Sequence, residues 1–429
     1  MSLDRNCGGE TMNSLSQLIS SCACRSRNRH GERRLFAFKS LRSYRTCLRE
    51  LRTAGYRPHK QLDEQGIFSL TIDKRRSLRE IARHTGIRYV EKDVKARAHS
   101  LRRKTPSIRA SGNTGRAPWN IQQVQAPLVW PLTRGSGIRL AVLDTGIAAH
   151  PDLKIAGGIN TINGRSYRDD NGHGTHVAGI AAGTGFKRLK GMAPRISLYA
   201  VKVLDESGSG YVSDIVEGID WCIRNRVQVM NLSLGLPPGE DSQALREAVR
   251  RALRHGIVII SSAGNEGKSA ESLDAPARYA GVLAVAASTK KGKIAGFSSR
   301  GSGLACAAPG LNIRSTWLRG GYKTMSGTSM AAPHAAGGAA LLLARMPRLL
   351  PHQISRAFGI SAKKLGFNVR AQGAGLLQTA DALMRARAAA NRVVQRPGSQ
   401  GQACRQLIRK PFGGRNRPTP TLFIQQGKR

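Results

Sequence analysis

Between residues 117 and 390, five short apolar runs recur at 138–143, 196–201, 227–232, 256–260 and 282–286. Each has the length of a strand buried on both faces, and helical patterns at Val212–Arg224 and 243–255 separate some of them. Strands spaced by helices cannot pair as tight hairpins and need crossover connections. This segment is therefore expected to be an α/β domain, a parallel sheet with helices on both faces.

The 429-residue chain is long enough for two or three domains, and composition sets where they divide. Residues 1–34 are polar and rich in Ser and Arg, and read as a disordered N-terminal segment. A compact pattern follows over 35–99. Leu35-Phe36-Ala37-Phe38 suits a strand, and Leu41, Tyr44, Leu48 and Leu51 fall at helical spacing, ended by Gly55. Residues 66–72 alternate as a strand, Ser77 with Glu80 suggests a capped helix, and 88–91 suits a last strand. That order predicts a small α+β unit of ferredoxin-like kind. Residues 100–116 form a basic linker open to cleavage, and 391–429 a basic, disordered tail.

The formal net charge is +43, and it is spread over all segments. Such a surface attracts polyanions without selectivity. A nucleic-acid or polyanion-binding protein is the competing class, but aromatics make up only 5% and no basic stripe with interleaved rings stands out. The seven cysteines are odd in number and scattered, which does not describe a disulfide framework. No apolar run reaches the length of a transmembrane helix. The N-terminus lacks a secretory signal pattern, which leaves the compartment open between secreted and cytoplasmic.

Four segments carry chemistry. Asp144 follows a strand in Val142-Leu143-Asp144-Thr145-Gly146, the end of a parallel strand where catalytic groups gather. A paired-carboxylate protease would need a second Asp-Thr-Gly, and none occurs. His173 lies in Asn171-Gly172-His173-Gly174-Thr175-His176, and its spacing from His176 does not match the zinc-protease pattern. Ser329 opens a small-residue helix in Gly327-Thr328-Ser329-Met330-Ala331-Ala332-Pro333, whose free N–H groups can face an oxyanion. Asn265, in Ala263-Gly264-Asn265-Glu266-Gly267, offers a carboxamide donor.

In this order the four segments, with Asn231-Leu232-Ser233-Leu234-Gly235, resemble the subtilisin family of serine proteases, peptidase family S8, over about residues 117–390. The resemblance implies a serine endopeptidase with Asp144, His173 and Ser329 as triad and Asn265 at the oxyanion. No catalytic position is substituted, which argues against an inactive relative. Gly208-Ser209-Gly210 and Ser233-Leu234-Gly235 would flank an extended substrate. The 35–99 unit resembles the family's inhibitory propeptide, implying a self-processing zymogen cut near His99 or in the linker. Its partners would be protein or peptide substrates and its own propeptide.

Two departures follow. The family's strong calcium site would match Asp152 and the loop after the His helix, but Gly183-Thr184-Gly185-Phe186-Lys187-Arg188-Leu189-Lys190 has three basic groups and no carboxylate. That site is expected to be absent and no cofactor required, with a weak cation site around Ala277, Tyr279 and Val282 left open. Counting back from Pro276 and Tyr279 puts Asp274 at the floor of the primary specificity pocket, walled by Ser233, Leu234, Gly235, Ala263 and Gly264. A carboxylate there would favour cleavage after Arg or Lys. The next apolar subsite would use Val212, Ile215 and Leu234.

Overall fold

The protein is described by a computed structural model covering residues 14–24, 29–99, 117–269 and 272–394. The expected linker at 100–116, and the expected tail beyond residue 394, lie outside the described residues.

The first element, α1 (Leu15–Cys22), falls where the sequence suggests no structure. Its apolar residues Leu15, Ile19 and Cys22 recur at helical spacing and are buried, and a reciprocal Ser14–Gln17 capping box closes its N-terminus. The 1–34 expectation is therefore corrected at 15–22, and again where β1 starts at Gly31. Then come β1 (Gly31–Phe38), α2 (Leu41–Thr53), β2 (Lys60–Leu62), β3 (Ile67–Asp73), α3 (Arg79–Arg83) and β4 (Ile87–Lys92). The strands form an antiparallel sheet in the order β2-β3-β1-β4. Strand β2, unforeseen, completes the ferredoxin-like order of elements. The expected Ser77–Glu80 capping box is absent, because α3 begins one residue later than assumed, with Leu78 at its N-cap. Phe36, Phe38, Tyr44 and Phe68 pack ring against ring, tilted or edge-on, in the core of this unit. Truncating the fully buried Phe68 to Ala would cost on the order of 3–5 kcal/mol.

A short strand β5 (Lys95–Ala98) leaves this unit. The remaining elements are α4 (Trp119–Gln123), α5 (Ala126–Val129), β6 (Arg139–Asp144), β7 (Ile155–Asn160), α6 (His173–Ala182), β8 (Ser197–Lys202), β9 (Ser209–Tyr211) and α7 (Val212–Arg224). They continue with β10 (Val229–Leu232), β11 (Leu234–Gly235), α8 (Gln243–Arg254), β12 (Val258–Ser262), β13 (Leu283–Ser288), β14 (Leu304–Pro309), β15 (Ile313–Thr316) and β16 (Tyr322–Met325). The helices α9 (Thr328–Arg345), α10 (Pro351–Ser361), α11 (Val369–Gln372) and α12 (Thr379–Val394) close the described chain. A seven-stranded parallel sheet runs β14-β13-β12-β10-β6-β8-β7, with apolar clusters on its two faces. This is the expected α/β architecture. Helix α12 ends at Val394, four residues into the stretch read as unstructured.

The N-terminal unit meets the sheet domain through charge as well as apolar contact. Glu91 accepts hydrogen bonds from the Gln243 and Ala244 N–H groups and the Ser242 hydroxyl at the start of α8. Asp93 accepts from the Ser213 N–H and hydroxyl in the first turn of α7, and pairs with Arg33 at 3.0 Å. Helix N-termini present unpaired donors and partial positive charge, so both carboxylates sit where anions are stabilised.

Candidate active site

Asp144 ends β6 at the carboxyl edge of the sheet, and His173 opens α6. Asp144 Oδ1 lies 2.7 Å from His173 Nδ1 and also accepts from the Thr145 N–H at 2.7 Å. Both side chains are buried. Their close approach depends on glycine: a Cβ on Gly174 would lie 2.2 Å from the Gly146 carbonyl oxygen. His173 Nε2 is buried without a hydrogen-bond partner, so the pair leaves one ring nitrogen unengaged.

Asp169 organises this corner, and the sequence reading did not single it out. Its Oδ1 accepts from the Asn171 and Gly172 N–H groups and from the Thr145 hydroxyl, and its Oδ2 from the Thr175 N–H and hydroxyl. Asp169 thus caps α6 and ties it to the residue after Asp144; the clue was an Asp shortly before a Gly-initiated helix. Buried Lys202 adds a second tie, donating to the Thr145 and Leu204 carbonyls and pairing with Asp170 at 2.7 Å. His176 is a structural neighbour. Its Nε2 lies 3.1 and 3.0 Å from the Ile313 and Lys323 carbonyls, and burial, reinforced by His173, lowers its pKa to about 3.

Ser329 stands in the first turn of α9, which packs against α6. Its hydroxyl donates to the Ser233 carbonyl at 3.0 Å, and the Ser233 hydroxyl donates back to the Ser329 carbonyl at 3.0 Å. Ser329 is thus fixed to the rim at Ser233 rather than bonded to His173. Asn265 Oδ1 accepts from the Thr328 N–H and hydroxyl, each at 3.0 Å, which anchors the carboxamide beside Ser329 through its oxygen.

The two segments expected to flank a substrate do flank a strand, and it belongs to this chain. β5 pairs antiparallel with β9 on one side and β11 on the other. Ala96 stands opposite Gly210, and Ala98 opposite Leu234. The Ala98 N–H donates to the Gly208 carbonyl at 3.0 Å and the His99 N–H to the Ser233 carbonyl at 3.3 Å. Ala96 is fully buried and shares an apolar cluster with Val212, Ile215 and Leu234.

Beyond Ala98, His99 is buried in a polar pocket. Its Nε2 lies 2.8 Å from Asp274 Oδ2 and its Nδ1 2.7 Å from the Ser262 hydroxyl. Asp274 is 3% exposed, and its N–H bonds the Ala263 carbonyl. A Cβ on Gly235 would lie 2.3 Å from His99 Nε2, and one on Gly264 2.8 Å from Asp274 Oδ2, so both glycines make room for the pair. Ser262 was not among the expected pocket residues; only the fold brings residues 99, 262 and 274 together.

Asp152 is filled from within. Its carboxylate accepts from the Lys187, Arg188 and Leu189 N–H groups and from the Tyr322 hydroxyl. Burial disfavours its ionisation, but these donors outweigh burial and hold the carboxyl below its usual range. N–H groups aimed at both oxygens are the wrong surroundings for calcium, so the residues present do not fit that ion. The Tyr279 carbonyl, in the second candidate cation region, accepts from the Val282 N–H at 3.1 Å. Among the described residues no helix is long and apolar enough to cross a membrane.

Comparison with known proteins bears on the same segment. The family described as the Subtilase family, Peptidase_S8, matches residues 135–376. A thermostable alkaline protease of Halalkalibacterium halodurans is 48% identical over 234 residues, 54% of this chain and 64% of that protein. The minor extracellular protease Epr of Bacillus subtilis is 39% identical over 336 residues, 76% of this chain and 51% of that protein. The chain thus spans 64% and 51% of the lengths of these two relatives. Subtilisin Savinase of Lederbergia lenta is 46% identical over 264 residues, 61% of this chain and 96% of that protein. The matched segment contains Asp144, His173, Asn265 and Ser329, and on this match the chain belongs to the subtilase family.

Proposed function

We propose that the chain is a serine endopeptidase made as a self-inhibited precursor. Ser329 Oγ attacks the substrate carbonyl as its proton passes to His173 Nε2. Asp144 holds the other ring nitrogen in its protonated form and stabilises the imidazolium. The Asn265 carboxamide and the Ser329 N–H receive the oxyanion. His173 then gives its proton to the leaving amine, and water resolves the acyl-enzyme by the same steps in reverse. In the present arrangement the Ser329 hydroxyl must turn away from Ser233 to meet Nε2. The observation that carries this reading is the segment Lys95–Ala98 with His99: a strand paired on both edges, ending with a side chain in a buried pocket beside Ser329. That is the form of a bound product, and it supports residues 35–99 acting as inhibitory propeptide with the cut after His99.

The preference for a basic residue before the cleaved bond belongs to the same reading. Asp274 and Ser262 offer a carboxylate and a hydroxyl to a cationic or hydrogen-bonding side chain, which suits His as well as Arg and Lys. We further propose that activity needs no tightly bound calcium at Asp152, because N–H and hydroxyl donors already occupy and stabilise that carboxylate. Casein hydrolysis tests the main reading. Wild type freed of residues 1–99 should digest casein and be blocked by a serine-directed fluorophosphonate, whereas Ser329→Ala should do neither. Equal inertness of the two proteins would refute it.

A further inference from the structure

A groove of 1400 Å³ borders Asn171, Trp317, Met325 and Ser326. Asn171 is two residues before His173 and Ser326 three before Ser329, so the groove abuts the site along the chain. None of its described lining residues belongs to the set that holds β5 or His99. It is therefore the side of the nucleophile that the bound tail does not use.

Its wall is cationic. Lys290, Lys291 and Lys293 come from the turn after β13, and Lys323 from β16. All four are exposed, and no carboxylate is among the described lining residues. None of the four is ion-paired to a described carboxylate, whereas Asp274, on the side that holds the bound tail, is paired with His99. Two ammonium groups lie near aromatic faces: Lys323 Nζ is 4.0 Å from the centroid of Trp317, and Lys290 Nζ 5.9 Å from that of Trp119. Such contacts favour a side chain lying along the wall over one free in solvent. Concave walls of one sign focus the field on whatever enters.

We propose that Lys290, Lys291, Lys293 and Lys323 form a subsite that selects peptides carrying Asp or Glu at the second to fourth positions after the cleaved bond. This rests on reading Lys95–Ala98 and His99 as the residues before that bond, since the chain beyond it must then continue on the other side of Ser329. The cleft is charged in opposite senses on its two sides, with Asp274 before the bond and lysines after it. The chain's own continuation, Leu101-Arg102-Arg103-Lys104, has the wrong sign for the groove. After self-cleavage that repulsion favours release of the new N-terminus rather than its retention as an inhibitor.

Internally quenched peptides identical up to the cleaved bond test this, with Glu-Glu, Gln-Gln or Lys-Lys at the second and third positions beyond it. Processed wild type is compared with the triple variant Lys290→Gln/Lys291→Gln/Lys293→Gln. Wild type should show kcat/KM about tenfold higher for the Glu than for the Gln peptide, and lowest for the Lys peptide. That preference should shrink to about twofold in 0.5 M NaCl and in the triple variant, with the Gln peptide cut at the wild-type rate. Equal rates on Glu and Gln peptides, or a Glu preference that survives the triple substitution, would overturn the proposal. So would inhibition by single-stranded DNA that the triple substitution abolishes without any Glu preference, since the groove would then serve polyanions. Cleavage of the Gln peptide, and its loss in Ser329→Ala, reports separately on the protease reading.

Discussion

Two buried carboxylate–imidazole pairs stand among the described residues, and they differ in what the second ring nitrogen does. In Asp144–His173 the carboxylate bonds Nδ1 at 2.7 Å and Nε2 has no partner. In Asp274–His99 the carboxylate bonds Nε2 at 2.8 Å and Nδ1 is taken by Ser262 at 2.7 Å. The first imidazole keeps a nitrogen open for a proton and suits catalysis. The second has both nitrogens engaged and suits recognition. The same two side-chain types thus offer different chemistry, and the separating variable is hydrogen-bond saturation rather than distance or burial.

The sharpest way to break the contrast is Asp144→Asn. An amide can hold His173 in place but accepts the wrong tautomer, so kcat on a chromogenic peptide should fall by about 10⁴ while the circular dichroism spectrum is kept. A variant within tenfold of wild type would mean that Asp144 does not set the tautomer.

Histidines with no role in proton transfer provide a control. His176 and His334 are held neutral by burial, with pKa values lowered to about 3 and about 4. His334 is also bonded to Asn120 at 2.9 Å and to the Met330 carbonyl at 2.9 Å. A lowered folded-state pKa favours the fold above the unfolded value near 6.5, and that stability is lost as pH falls toward the folded values. Unfolding of the inactive Ser329→Ala chain should therefore lose roughly 2 kcal/mol per histidine between pH 7 and pH 5. A urea midpoint unchanged over that range would show that these rings are not locked neutral.

The smaller effect concerns the recognition pair. Asp274→Asn keeps the pocket's shape but removes its charge. The kcat/KM ratio for His or Arg over Phe before the cleaved bond should then drop about 10- to 100-fold, the range of a hydrogen bond to a charged group. An unchanged ratio would mean that Asp274 does not read the side chain.

What the sequence made legible follows from how local each feature is. Asp144, His173, Asn265 and Ser329 each lie in a short run whose backbone need is written in adjacent glycines. The strands at β6, β8, β10, β12 and β13 were visible as apolar runs. Strand β7 was not, because its Ile-Ala-Gly-Gly-Ile-Asn has two glycines where branched residues would be expected. Helix α1 was missed because its three buried apolar residues stand among serines, and the α2 and α3 surfaces they pack against come from elsewhere in the chain. The His99–Ser262–Asp274 cluster joins positions more than 160 residues apart, and no local pattern announces it. Lys290, Lys291 and Lys293 drew no notice in the sequence, and only the fold sets them on the wall of a groove.

The most direct test is the intact mass and N-terminal sequence of purified wild type beside Ser329→Ala. If Ser329 cuts its own chain after the residue lodged against Asp274, the wild-type catalytic chain begins at Ser100, or further into the linker after later trimming. Ser329→Ala then keeps residues 35–99 attached. A wild-type enzyme that digests casein with 35–99 still attached, or a Ser329→Ala chain cut at the same bond, would contradict the account.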